Sequence, residues 1–166
     1  DFSLPGVDGA THSLDDYAGY DALLVVFTCN HCPYAQAKFD ELNRLAATHD
    51  DLAVVGVNPN DAERVPADSF EAMVERVESG EVAYDAYLRD ESQDVARAYG
   101  AVCTPDPFLF RVDGGRFGLA YHGRVDDAMR TDAAPERFHM REAVAAVLAG
   151  EPVPFADESL PSRGCD

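Results

Sequence analysis

The sequence predicts an α/β protein with a central mixed sheet flanked by helices, an N-terminal β extension and a central helix-strand insertion. Three observations carry this. Residues 22–27 (Ala-Leu-Leu-Val-Val-Phe) hold no polar side chain, as a central strand buried on both faces requires. A helical stripe, Ala35, Phe39, Leu42, Leu45 and Ala46, separates that run from a second apolar run at 52–57. A strand-helix-strand crossover is almost always right-handed, which makes the two strands parallel. Near the other end, Asp113-Gly114-Gly115 turns Phe108-Leu109-Phe110 back into residues 116–121, an antiparallel hairpin.

The remaining elements follow in order. Residues 2–14 contain the turn signal Asp8-Gly9 between short apolar pieces, predicting a β-hairpin over one edge of the core. Ser13-Leu14-Asp15-Asp16 has capping-box spacing and opens a helical turn. After the second strand, Asn58-Pro59-Asn60-Asp61 breaks the pattern at the same end of the sheet as the cysteines, a candidate rim of the site. Phe70, Met73, Val74 and Val77 form a helical stripe with Asp68 or Ser69 as its cap and Gly80 as its stop. Residues 82–88 read as a strand, and Ser92 as the cap of a helix carrying Val95, Ala96 and Tyr99 and ending at Gly100. Cys103-Thr104-Pro105-Asp106-Pro107 demands a special backbone before the hairpin, with one X-Pro bond a candidate for cis. Pro135 opens the last helix, which carries Phe138, Met140, Val144, Val147 and Leu148 and stops at Gly150. The expected organisation is one domain over 1–150 and a tail, 151–166, that either wraps the domain or hangs loose.

Chemistry concentrates where the first strand meets its helix, at Cys29-Asn30-His31-Cys32-Pro33. Pro33 suits a first helical position, which puts both cysteines at a helix N-terminus. Free N–H groups there favour an anion, and such settings bring a thiol from about 8.5 to about 3.5–7.5. Cys29 is therefore expected to be the exposed nucleophile. Cys32, one turn on, is expected to attack a mixed disulfide at Cys29 and release the reduced product. His31 adds a donor and, when protonated, a positive charge beside the thiolate. The pair could instead be half of a zinc site, which needs a second pair, whereas Cys103 and Cys165 are single and far apart.

Composition narrows the partners. The net charge is -18, spread along the chain, and the basic residues are twelve arginines and one lysine, Lys38. An evenly acidic, lysine-poor surface matches proteins of cells that hold molar salt, where repulsion is screened. No basic patch exists to meet nucleic acid, and no apolar run approaches a membrane span. A cytoplasmic location is expected, with a removed signal peptide left open because the sequence begins at Asp1 without methionine. No signal sets an oligomeric state.

Five strings in order, Phe27-Thr28-Cys29-Asn30-His31-Cys32-Pro33-Tyr34, Asp68-Ser69-Phe70-Glu71-Ala72-Met73, Ala98-Tyr99-Gly100-Ala101-Val102-Cys103-Thr104-Pro105, Gly123-Arg124-Val125-Asp126-Asp127 and Gly164-Cys165, resemble peroxiredoxin-like proteins of the thioredoxin-fold superfamily, the alkyl hydroperoxide reductase/thiol-specific antioxidant (AhpC/TSA) type. The resemblance implies a thioredoxin-like fold. It assigns attack to Cys29 and resolution to Cys32, and identifies Pro105 as the cis-proline that lies against the dithiol, keeps metals away and lets a substrate backbone pair with Thr104. Two departures stand out. Peroxiredoxins carry Thr or Ser three residues before the reactive cysteine and Pro seven before, where this chain has Val26 and Ala22. Thioredoxins carry a buried Asp six before and Trp just before, where this chain has Leu23 and Thr28, so proton handling falls to another group, His31 or water.

The expected function is thiol-disulfide exchange by Cys29 and Cys32 with a disulfide or dithiol protein substrate and a thiol electron donor, without a cofactor. The alternatives are a thiol peroxidase using Cys29, resolved by Cys32, Cys103 or Cys165, and a copper or zinc carrier using Cys29, Cys32 and His31. Cys103 is by default a small buried hydrophobe, Cys165 an idle tail thiol, and Arg124 a charged turn residue; each is also a candidate auxiliary group.

Overall fold

The computed structural model describes residues 2–60, 64–101, 103–155 and 160–162. Five strands form one sheet in the order β5-β4-β3-β6-β7: β3 is Ala22–Phe27, β4 Leu52–Asn58, β5 Ala86–Arg89, β6 Asp106–Asp113 and β7 Arg116–His122. β3 runs parallel to β4, and β4 to β5, whereas β6 is antiparallel to both β3 and β7. The mixed sheet expected from the sequence is therefore present. β1 (Ser3–Pro5) and β2 (Thr11–Ser13) make the N-terminal hairpin. Gly6 bridges Leu88 and the Val7 N–H donates to the Tyr87 carbonyl, so the hairpin covers the open edge of β5.

Alternation along β3 divides the core. Ala22, Leu24 and Val26 face α2 (Phe39–Thr48) and α5 (His139–Leu148), through Leu42, Leu45, Met140, Val144 and Val147. Leu23, Val25 and Phe27 face the hairpin and α4 (Asp94–Tyr99), through Leu4, Tyr17, Val95 and Ala96. Each fully buried side chain of this kind contributes roughly 1.5–3 kcal/mol, so the two-sided burial of β3 is the main local reason for its place at the centre. Gly56 sits inside β4 because Tyr84 and Tyr87 press on it: a Cβ there would meet Tyr84 Cδ2 at 2.8 Å. Gly56→Ala is expected to cost about 1–3 kcal/mol, read as a lowered denaturant midpoint with an unchanged slope.

Four elements differ from expectation. The single helix after the cysteines is two: α1 is the four residues Pro33–Gln36, and α2 starts at Phe39 with Lys38 (φ -104°, ψ -3°) as its N-cap. The sole lysine turns inward at this break, where Nζ meets Asp126 Oδ1 at 2.5 Å and the Ala128 carbonyl at 2.9 Å. The strand expected over 82–88 is only Ala86–Arg89, because Val82 and Tyr84 pack beneath the dithiol instead of pairing. α4 is capped by Gln93 in the left-handed region (φ 67°), not by Ser92, whose hydroxyl accepts from the Asp94 N–H. α5 begins at His139, four residues after Pro135. Ser69, of the two candidates, caps α3 (Phe70–Glu78), accepting from the Ala72 N–H at 3.2 Å. Beyond α5, Val153 and Phe155 are buried, and Phe155 meets Tyr121 edge to face, so this part of the tail is packed on the domain.

Candidate functional site

The C-terminal ends of the parallel strands β3, β4 and β5 and the start of the antiparallel β6 lie at one end of the sheet, and the residues just outside them form the site. The Thr28 N–H donates to the Val57 carbonyl, extending the β3–β4 pairing to the doorstep of Cys29. Asn58 ends β4, and Pro59 and Asn60 follow it at the expected rim; Asp61 lies outside the described residues. Thr104 and Pro105, joined by a cis peptide bond, precede β6.

Both sulfurs meet Thr104. Cys29 Sγ lies 3.3 Å from its hydroxyl and Cys32 Sγ 3.6 Å from its carbonyl oxygen. Cys29 is a free thiol here, whereas Cys32 is disulfide-bonded, so the Cys29–Cys32 dithiol is a state reached on reduction. Two expectations about it are corrected. It is not the exposed member of the pair, since Cys29 and Cys32 are both 0% exposed, packed on Ala35, Phe39, Met73 and Tyr87. Nor is its ionisation eased by the helix: burial pushes the Cys29 thiol above its ordinary value, and the negative charge of Asp68 adds to this. The Thr104 hydroxyl and the backbone N–H groups of Cys32 and His31 oppose the shift without cancelling it. The physical reason is that α1 is a single turn, too short to build much of a dipole against the cost of burying an anion.

The two residues between the cysteines are pinned from outside. Asn30, fully buried, donates from its side chain to the Ala67 carbonyl at 2.9 Å and accepts from the Tyr87 hydroxyl at 2.8 Å. The Gln36 side chain donates to its carbonyl at 2.6 Å. His31 is half-exposed and hydrogen-bonds through Nδ1 to Asp68 Oδ2. Asp68, one of the two helix-cap candidates in the sequence, is fully buried and does not cap α3. Its carboxylate also accepts from the Asn30 N–H (2.6 Å), Asn60 Nδ2 (3.0 Å) and Asn58 Nδ2 (3.3 Å). Arg89 Nη1 donates to the Asp68 backbone carbonyl at 2.9 Å. In sequence it shows only as a cap candidate and as the first residue of the string Asp68-Ser69-Phe70-Glu71-Ala72-Met73, and its partners are 8 to 38 positions away.

Cys29 Sγ, a ring nitrogen of His31 and a carboxylate oxygen of Asp68 lie within 4.8 Å of one another. Within this group His31 and Asp68 are hydrogen-bonded to each other, whereas the Cys29 sulfur is hydrogen-bonded to Thr104. Cys103 is partly exposed, its sulfur 3.7 Å from the Pro105 carbonyl, and it lines a cleft of about 210 Å³ with Phe27, Asn60, Arg97 and Thr104. Arg124 stands apart, at the end of β7: its N–H donates to the Leu160 carbonyl and its carbonyl accepts from the Tyr121 hydroxyl. Cys165 lies outside the described residues.

This fold and its Cys-x-x-Cys pair define the class: a thioredoxin-like thiol oxidoreductase. The AhpC/TSA family profile matches residues 1–116, and the chain belongs to the AhpC/TSA family. Among solved structures it is similar to a hypothetical protein from Sinorhizobium meliloti 1021 (39% identity, TM-score 0.89, covering 99% of this chain and 88% of that one). It is also similar to an uncharacterized conserved protein from Geobacillus kaustophilus (37%, TM-score 0.86, 96% and 83%). A secreted Mycobacterium tuberculosis disulfide oxidoreductase homologous to E. coli DsbE shares the fold at 19% identity (TM-score 0.64, 87% and 95%). No curated protein matches the chain. Among the described residues, no helix is long and apolar enough to cross a membrane.

Proposed function

We propose that this protein exchanges thiols and disulfides with a protein partner, Cys29 attacking and Cys32 resolving. The observation that carries the reading is the convergence of both sulfurs on Thr104, the residue before cis-Pro105. One residue then contacts both the sulfur that bonds the partner and the sulfur that must replace it. The Cys29 thiolate attacks a partner disulfide, that S–S bond breaks and one partner sulfur leaves as a thiol. Cys32 then attacks Cys29 in the mixed disulfide, closing Cys29–Cys32 and freeing the second partner thiol. A partner segment lying along Thr104 would enter by the cleft beside Cys103. A thiol donor reverses the sequence to regenerate the dithiol.

Peroxide reduction is the second reading, favoured by the family itself. Against it stand Val26 and Ala22, both apolar and fully buried within β3, at the positions where peroxiredoxins orient the peroxide. The discriminating measurement is the second-order rate of hydrogen peroxide consumption by the reduced protein in molar salt, beside its rate with a protein disulfide. We expect a peroxide rate no better than that of an ordinary free thiol, and a disulfide rate well above it. A peroxide rate orders of magnitude faster, lost in Cys29→Ser, would replace exchange with peroxidase activity.

A further inference from the structure

We infer that Asp68 is a positioning residue for the dithiol: through His31 it makes a proton relay of the order Cys29, His31, Asp68, which takes the place of the buried carboxylate that Leu23 cannot supply. The inference rests on the exchange reading above and names how that site handles its proton.

The geometry gives three independent reasons. First, a carboxylate only accepts hydrogen bonds, so the Asp68–His31 contact fixes the proton of the imidazole on Nδ1 and leaves Nε2 as its basic nitrogen. Second, Asp68 cannot turn away. Asn30 N–H, Asn58 and Asn60 hold its carboxylate from the other sides, and Arg89 holds its backbone. Third, the sulfur is near: Cys29 Sγ, a His31 ring nitrogen and an Asp68 carboxylate oxygen lie within 4.8 Å of one another, a gap that one bridging water spans for the proton. Among the described residues the other titratable or charged groups beside this cluster are Tyr87, protonated and hydrogen-bonded to Asn30, Arg89, whose guanidinium reaches the Asp68 carbonyl, and Cys32.

Asp68 then acts on Cys29 in two opposite ways. Directly, its negative charge disfavours the thiolate. Through His31, which it touches, it stabilises the imidazolium formed when the ring takes the Cys29 proton. Coulomb interaction falls with separation, and His31 is in contact whereas the sulfur is farther off, so the second effect outweighs the first. The step balances: the thiol proton moves to His31, the thiolate breaks the partner S–S bond, and the leaving sulfur carries that proton away as a thiol.

The test is the alkylation rate of Cys29 by iodoacetamide against pH in the reduced full-length chain, followed on the Cys29 peptide by mass spectrometry. Asp68→Asn keeps the acceptor oxygen and removes the charge. With His31 present it is expected to lower the rate at pH 7 about tenfold, equivalent to one unit in the profile. In a His31→Ala background the same substitution is expected to raise the rate severalfold, because only the repulsion is left to remove. A change of the same sign in both backgrounds, or none, overturns the relay. If Asp68→Asn does not fold, the nitrogen-15 spectrum of the His31 ring in the unmodified protein decides: Nδ1–H across the neutral range supports the inference, and Nε2–H alone overturns it. Alkylation needs no disulfide partner. Opposite signs in a protein that fails to reduce a protein disulfide would therefore keep the relay and remove the exchange reading.

Discussion

Cys29→Ser is expected to lower disulfide exchange by roughly a thousandfold or more, the scale of removing a nucleophile, whereas Cys32→Ser is expected to stall after the first step. The two cysteines are equally buried and touch the same residue, so exposure does not rank them; the groups around them do. Cys29 has the hydroxyl of Thr104, two backbone N–H groups and the His31–Asp68 pair about its sulfur, all capable of managing a proton or a negative charge. Cys32 sits at the cap of α1, with its sulfur against the Thr104 carbonyl, an acceptor that does nothing to favour an anion. An aromatic disulfide reagent separates the roles. The dithiol releases two coloured thiolates for each Cys29 consumed, and Cys32→Ser releases one and keeps the other half of the reagent on Cys29. Wild-type turnover in Cys32→Ser would transfer the resolving role to another thiol, with Cys103, in the loop before Pro105, the first to examine.

The second large effect is on stability. Lys38→Ala is expected to cost about 3–5 kcal/mol, because it strands Asp126 as a buried charge without its partner. For a chain of this size that corresponds to a fall in Tm of roughly 6–20 °C. The ammonium is held by Asp126 and by the Ala128 carbonyl, and Asp126 Oδ1 also accepts from the Ala128 N–H. Replacing both partners with apolar residues, Lys38→Met with Asp126→Leu, is expected to recover most of the loss, since the pair's desolvation cost disappears with it. Thermal unfolding of the two variants provides the check; a single substitution costing less than about 1 kcal/mol would show that the pair is solvated and weak.

These two expectations mark where the sequence was and was not informative. β3, β4 and the β6–β7 hairpin were legible because fully buried strands leave uninterrupted apolar runs, and the dithiol because its spacing and its proline are local. Lys38 and Asp68 were not legible in the same way. Each works through partners remote in the chain, Asp126 for one and Asn30, His31, Asn58 and Asn60 for the other, and nothing in the neighbouring residues distinguishes them from surface charges. The break between α1 and α2 is at the same residue: helical periodicity runs through Lys38, and its ammonium meets Asp126 and the Ala128 carbonyl there. The burial of Cys29 escaped for a related reason. Position at a helix N-terminus suggests access and electrostatic help, whereas the packing of Met73 and Tyr87 beneath it is set by elements 40 or more residues on.

The placement of Lys38 also has a consequence for covalent chemistry. Arginine side chains stay protonated and do not react with acylating reagents near neutral pH, so the twelve arginines are silent to them. Each chain thus offers a single side-chain amine, and it is 10% exposed at the seam between the dithiol helix and the 126–128 loop. Acylation of that nitrogen waits for the seam to part. The labelling rate in native buffer therefore becomes a clock for local opening beneath the active-site helix, readable without introducing a probe or changing a residue.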